Sequence, residues 1–172
     1  MDQDRQLAGR AASGDAVAFA ALVRAYQSRL RGFLRRLTRG DASLADDLAQ
    51  ETFLLAHRRI GQYRGEGAFS SWLLGIGWSC FLMERRRRKE EALEGVPEQS
   101  DATLASAAAC RIDLERAMAR LMAEERAALT LCYALGHSHG EAAEILGMPL
   151  GTLKSHVARG REKLKGILEA TS

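Results

Sequence analysis

Nowhere is this chain more restricted than at Gly147-Met148-Pro149, which splits the stretch GEAAEILGMPLGTLKSHVARGREKLK, residues 140–165, into two short helices. Before the break, Ala142, Ala143, Ile145 and Leu146 form a small apolar stripe, and Gly147 suits the left-handed residue that ends a helix. Pro149 cannot stand inside a helix but suits its start. After it, Leu153, Val157, Leu164 and Leu168 recur at offsets 0, 4, 11 and 15, one face of a 3.6-residue period. The other faces carry Thr152, Lys154, Ser155, His156, Arg159, Arg161, Lys163 and Lys165, with five Lys or Arg against one acid, Glu162, between 150 and 166. Two short helices on a tight turn, the second basic outside and apolar inside, describe a helix-turn-helix with its recognition helix. The plainer alternative is a solvated amphipathic helix closing a bundle. The tight turn favours DNA, and so do Ala142 and Ala143, which let the two helices cross closely.

The rest of the chain agrees with an all-α fold. Proline occurs only twice in 172 residues, strand-type alternation is scarce, and Ala, Leu, Arg and Glu dominate. With 47% hydrophobic residues the chain can bury cores. It has no run of about eighteen apolar residues, and MDQDRQ is no signal peptide. A cytoplasmic protein without membrane contact is expected. Cys80, Cys110 and Cys132 are far apart and odd in number, so reduced, ordinary core thiols are expected. His137 and His139 stand near Cys132 without a second ligand pair at metal spacing. No nucleophile motif, phosphate-binding Gly loop or catalytic carboxylate pair is visible. The expectation is therefore no metal, no cofactor and no enzymatic activity.

Charge divides the chain into three. Residues 1–90 hold 16 Lys or Arg and 10 acids; residues 91–109 hold four acids (Glu91, Glu94, Glu98, Asp101) and no base; residues 110–172 hold nine bases and eight acids. The segment EALEGVPEQSDATLASAAA, 91–109, with Gly95 and Pro97, reads as a flexible acidic linker between two small helical domains. It is either a solubilising spacer or an anionic strand able to lie in a nucleic-acid groove.

Four helices fit residues 1–90. The first runs from about Gln3 to Ala12. Asp15 caps the second, whose inner face is Phe19, Leu22, Val23, Tyr26, Leu30, Phe33, Leu34 and Leu37. Asp41 or Ser43 caps the third, with Leu44, Leu48 and Leu55, joined by Ala45, Thr52 and Ile60, on the buried stripe and Asp47, Gln50, Glu51 and Leu54 on the opposite one. Such a patch is ordinary surface or a dock for a basic helix. Then comes the glycine-rich loop GQYRGEGAF and the helix SSWLLGIGWSCFLMERRRRK, expected to start at a Ser cap and end on Arg85–Lys89. Aromatics interleaved with Arg suit unpaired DNA, since rings stack on bases for about 1–3 kcal/mol each and guanidinium groups hold phosphates. The counter-reading is that Phe69 and Trp72 are core and the Arg run complements a helix dipole.

The segments DDLAQETFLLAHRRI, YRGEGAFSSWLLGI, the Arg-rich helix and LMAEERAALTLCYALGHSHGEAAEILGMPLGTLKSHVARGREKL, in this order and spacing, resemble the extracytoplasmic-function sigma factors of bacterial RNA polymerase. The resemblance spans nearly the whole chain. It implies sigma domain 2 over 1–90, a linker over 91–109 and sigma domain 4 over 110–172. In that likeness Asp47, Gln50, Glu51 and Leu54 dock on the β′ clamp helices of core polymerase. Gln62, Tyr63, Arg64, Gly65 and Glu66 match the loop that captures a flipped base of the −10 strand, and Arg85, Arg86, Arg87 and Arg88 lie near −10 phosphates. Lys154, Ser155, His156 and Arg159 match the positions that read the −35 element, with Arg161 and Lys163 toward phosphates. Leu121, Leu129 and Leu131 pack the fourth domain, whose other surface meets the β flap. The acidic linker would thread toward the RNA exit channel. Core polymerase, promoter DNA and an anti-sigma factor are the partners implied.

The chain also departs from the pattern. The family's W-L-x-x-I-A-x-N reads WLLGIGWS here: Ser79 replaces Asn, and Gly75, Gly77 and Trp78 are unusual. Trp78 is expected on an exposed apolar face, the mark of an interface. His156 stands where Arg is common. Two other readings stay open at this point, a helix-turn-helix transcriptional regulator and a sigma-mimicking adaptor that binds an anti-sigma factor.

Overall fold

The computed structural model describes residues 2–93 and 109–170, and among them it is all helix and turn, without a strand. The N-terminal half is α1 (Asp2–Ala12), α2 (Ala16–Leu37), α3 (Ala42–Arg59), a short 3-10 turn (Ile60–Gln62) and α4 (Phe69–Leu93). Asp15 caps α2 by accepting from the amides of Val17 at 3.0 Å and Ala18 at 3.1 Å. Asp41, rather than Ser43, caps α3 through the Leu44 amide at 2.9 Å. The turn between α2 and α3 uses Arg39 and Gly40 at φ of 57° and 89°.

The core of this half is built from Leu22, Leu30, Phe33, Leu34 and Leu37 of α2 against Ala45, Leu48, Ala49, Thr52 and Ala56 of α3. Leu44 and Leu55, expected inside, are only half-buried. Ala45 and Thr52, on the expected stripe, take the close contact together with Ala49 and Ala56, because small side chains let α3 approach its neighbours and push the larger ones to the margin. Gly77 works the same way: a Cβ there would stand 2.9 Å from Leu30 Cδ1. The glycine that weakens α4 locally is thus needed for the approach of α2.

Two expectations for α4 change. It starts at Phe69, with the Ala68 carbonyl accepting from the amides of Ser71 and Trp72, so Ser70 and Ser71 lie inside the first turn and are not its cap. It also continues past the Arg run to Leu93. Glu84 and Glu91 pair with Arg87 at i,i+3 and i,i+4, and Glu84 with Arg88 at i,i+4, which favours continued helix. Glu91 therefore belongs to α4 and not to the linker; Glu94, Glu98 and Asp101 lie outside the described residues.

The C-terminal half is α5 (Ala109–Ala119), α6 (Ala123–Leu129), a π turn (Thr130–Ala134), α7 (His139–Leu146) and α8 (Leu150–Glu169). Ser138 and Glu141 form a reciprocal capping box on α7, and Gly147 ends it in the left-handed conformation at φ 62°. Pro149 stands at the head of α8. Leu153, Val157 and Gly160 bury the back of α8 on α6; a Cβ on Gly160 would meet Leu129 Cδ1 at 2.9 Å and Glu125 Cβ at 3.4 Å. Leu164 and Leu168 are half-buried. The two halves are docked, α4 against α7 and α2 against α6, so that their buried side chains make one continuous cluster.

Candidate nucleic-acid interface

With its back fixed by Leu153, Val157 and Gly160, α8 turns Lys154, Ser155, Arg159 and Arg161 outward and leaves His156 half-exposed. These residues share one end of the helix, directly after the Gly147–Pro149 turn, the part of a recognition helix that meets base edges. Ser155 Oγ donates to the Gly151 carbonyl at 3.0 Å, and Arg159 Nη2 lies 3.3 Å from His156 Nδ1. The pair groups an imidazole and a guanidinium fork in one patch.

Lys163 stands apart from this patch. Its Nζ donates to both carboxylate oxygens of Glu125, at 2.8 and 2.9 Å, and Glu125 is 1% exposed. The side chain expected at a phosphate is engaged in joining α8 to α6. Burial pushes the Glu125 carboxyl up, but the bonds from Lys163 and the Met122 amide outweigh it, and its pKa lies below the ordinary value. Glu84 is pulled down to about 2, chiefly by the hydrogen bond from Arg87. A carboxyl whose folded pKa is depressed stabilises the fold above its unfolded pKa and loses that contribution as pH falls through the folded one. The thermal midpoint, followed by circular dichroism, is therefore expected to drop as pH is lowered from the ordinary Glu value, 4.5, toward 2. In Lys163→Met the Glu125 part of that drop is smaller, since the group that depresses its pKa is gone.

In the loop before α4, Gln62, Arg64 and Glu66 are exposed. Tyr63 is half-buried: its hydroxyl donates to the Gly67 carbonyl at 2.9 Å and its ring packs at 5.4 Å from Phe69 and 5.5 Å from Trp72. Phe69 is 1% exposed and Trp72 half-buried, so both are core, as the counter-reading has it. Tyr63 is therefore held against the aromatic cluster rather than standing as a free platform. Burial, and then the nearby Asp4 carboxylate, raise its pKa. Gly65 has φ 73°, and a Cβ there would stand 2.8 Å from Arg5 Cδ, so Arg5 of α1 lies across the loop. No motif in the sequence points to Arg5, because its place depends on how α1 folds back.

The Arg run is unevenly engaged. Arg85 Nη1 donates to Glu124 Oε1 of α6 at 2.8 Å, Arg87 to Glu84 and Glu91, and Arg88 Nε to Glu84 at 2.8 Å; Arg86 is exposed. Such surface pairs contribute about 0–1 kcal/mol each, so phosphates can displace them. Trp78, expected on an exposed face, is 4% exposed and stacked on Phe81 with centroids 5.6 Å apart. On α3, Asp47, Gln50, Glu51 and Leu54 all face solvent, while Thr52 on the far side is sealed by donating to the Leu48 carbonyl at 2.6 Å.

Arg126 escaped the sequence reading. It is 2% exposed, donates to the Leu121 and Arg36 carbonyls at 3.2 and 3.5 Å, and leaves Nε without a partner. Burial, with Arg39 and Arg85 nearby, pushes its pKa down to about 10. Among the described residues no group of three His, Cys, Asp or Glu is placed to hold a metal, and no helix is long and apolar enough to cross a membrane.

Two family models match, Sigma-70 region 2 over residues 22–91 and Sigma-70 region 4 over residues 111–164. The RNA polymerase sigma-H factor of Pseudomonas aeruginosa is 33% identical over 98% of this chain and 95% of its own length. The extracytoplasmic-function sigma factor SigM of Mycobacterium tuberculosis is 37% identical over 96% and 84%. Among solved structures, the sigma factor RpoE of Bartonella quintana in complex with the anti-sigma factor NepR superposes with a TM-score of 0.77, at 29% identity, over 88% of this chain and 96% of that one. CnrH in complex with the cytosolic domain of CnrY gives 0.74 at 28% identity over 99% of each. Scores this high over both halves require the halves to sit in similar relative positions.

Proposed function

The chain belongs to the extracytoplasmic-function sigma factors of bacterial RNA polymerase, and on that premise we propose that it directs core polymerase to particular promoters and opens them. In this reading it acts in the cytoplasm as a specificity subunit without an active site of its own. The observation that carries the reading is the outward patch of Lys154, Ser155, His156 and Arg159 on a helix whose opposite face is buried. These residues read the −35 element in the major groove, where bidentate contacts discriminate bases by about 1–3 kcal/mol each. Arg161 supplies a phosphate contact, and Lys163 supports the helix through Glu125.

The loop Gln62–Glu66 receives a base flipped from the −10 strand. Flipping costs a few kcal/mol, which the half-buried Tyr63 ring, backed by Phe69 and Trp72, and the exposed Arg64 and Gln62 return by stacking and hydrogen bonding. Arg85–Arg88 hold the adjoining phosphates. The stripe Asp47, Gln50, Glu51 and Leu54 docks on the β′ clamp helices, and the outer surface of the C-terminal domain meets the β flap. The likeness to two sigma factors solved with anti-sigma factors supports an anti-sigma factor as the chain's regulator.

Run-off transcription tests the reading. Core polymerase is given promoter fragments of the source genome with and without the chain. Discrete transcripts that need the chain are the expected result, and their start sites reveal both promoter elements. No transcripts, from a chain that still binds duplex DNA alone, would transfer the reading to a helix-turn-helix regulator.

A further inference from the structure

Helix α1 buries one stripe and leaves Arg5 beside the loop that precedes α4. Asp4, Leu7, Ala8 and Ala11 share its inner face by helical spacing, with the two alanines fully buried. The Tyr26 hydroxyl donates to Asp4 Oδ2 at 2.5 Å, and the Tyr26 ring packs 5.3 Å from Phe69, which also holds Tyr63 at 5.4 Å. Asp4 and Tyr26 thus tie α1 to the same aromatic cluster that positions the loop. Arg5 comes next in the chain. Its stem fills the space beside Gly65, where a Cβ would stand 2.8 Å from both Cδ and Nε of Arg5 and 3.1 Å from its Cγ. Gly65, at φ 73°, has no side chain to contest that space. Both α1 residues act on Tyr63: burial raises the pKa of its hydroxyl, Asp4 raises it further, and Arg5 lowers it.

Charge gives the reason for a cation here. Arg64 and Glu66 of the loop offset each other, and the Asp4 carboxylate adds a negative charge near Tyr63. Without Arg5 the approach to Tyr63 would be net negative, and a DNA strand arriving there would be repelled. Arg5 also differs from its counterparts on α4. Arg85, Arg87 and Arg88 are each paired with a carboxylate, whereas Arg5 is exposed and, among the described residues, has neither a hydrogen-bond nor an ion-pair partner. A phosphate reaching it displaces nothing but water.

We propose that Arg5 belongs to the −10 site, where its guanidinium binds the backbone phosphate beside the flipped nucleotide and holds the unpaired strand over Tyr63. The proposal rests on the functional reading above and adds α1 to a site which that reading confines to the loop and α4. A phosphate is favoured over a base edge because Arg5 stays exposed and takes no part in the Tyr63–Phe69–Trp72 cluster, where a base stacks. Asp4 is the positioning residue, since its bond from Tyr26 fixes the turn of α1 that carries Arg5.

Binding of the holoenzyme to a fork whose unpaired strand carries the −10 sequence found by run-off transcription tests the proposal, with a −35 duplex as the control probe. Arg5→Met keeps an apolar stem beside Gly65 and removes the charge. It is expected to weaken fork binding about tenfold, the loss of one charge-assisted contact, and to lower the slope of log K against log salt by about 0.7, one phosphate of a single strand. Duplex binding and helicity are expected to stay at the wild-type values. Arg5→Lys, which restores the charge, is expected to recover most of the slope and affinity. An Arg5→Met variant that binds the fork as the wild type does overturns the proposal, because packing alone would then account for the residue. An unchanged slope with a shifted preference at one base also overturns it and makes Arg5 a reader of a base edge. Equal loss on fork and duplex overturns it as well. A wild-type holoenzyme that binds the duplex and not the fork refutes the −10 reading itself, whereas a result confined to the variants leaves that reading standing.

Discussion

With Lys154 and Arg159 both reversed to Glu, the holoenzyme's affinity for a −35 duplex is expected to fall by about a hundredfold or more, while its affinity for a fork carrying only the −10 element is unchanged. Each side chain is exposed on α8, and loss of a specific base or phosphate contact costs about 1–3 kcal/mol. Reversal adds repulsion from the phosphates, so the pair exceeds the sum of two deletions. The salt dependence separates specific loss from misfolding, because each phosphate contact removed lowers the slope of log K against log salt by about 0.9. Neither residue touches the Leu153–Val157–Gly160 face, so helicity and thermal midpoint should hold. Equal loss of −35 and core polymerase binding would count against α8 as the reader of DNA.

Replacing Asp47 and Gln50 with Ala is expected to weaken core polymerase binding by about ten- to a hundredfold, the range of an interface hot spot, and to reduce transcription from every promoter alike. Both side chains stand on the solvent side of α3, opposite Ala45, Leu48, Ala49 and Thr52. Exposed substitutions of this kind change stability by within about 0.5 kcal/mol. An affinity titration of labelled chain against core polymerase measures the effect. Unchanged affinity would remove this stripe from the polymerase interface, whatever the result at α8.

Much of the fold was legible because it is local. Asp15, Asp41 and Gly147 cap their helices through backbone groups two to four residues away, and Pro149 opens α8 by its own ring geometry. The amphipathic stripe of α2 was legible in the same way, as were the exposed stripe of α3 and the basic face of α8. Period and composition mark an inner and an outer face without reference to a partner. What failed were statements about which neighbour a face meets. Leu44 and Leu55 lost the closest contact to alanines, Trp78 turned out buried, and the Arg run proved to be mid-helix. The engagement of Lys163 by Glu125 could not be read either, since 38 residues separate them.

The amino-acid sequence by itself determined the class of the protein. Its helices, their caps and the helix-turn-helix rest on periodicity and short-range hydrogen bonding, and the order of its two sigma regions on the likeness of its segments to the family. Only the tertiary structure decided what the glycines of α4 and α8 are for, which of the basic side chains remain open to DNA, and that Arg85 meets Glu124. Those outcomes depend on the distance between chain segments far apart in sequence. Gly77 and Gly160 matter through Leu30 and Leu129 brought beside them, and close packing between helices is set by volume and approach rather than by pattern.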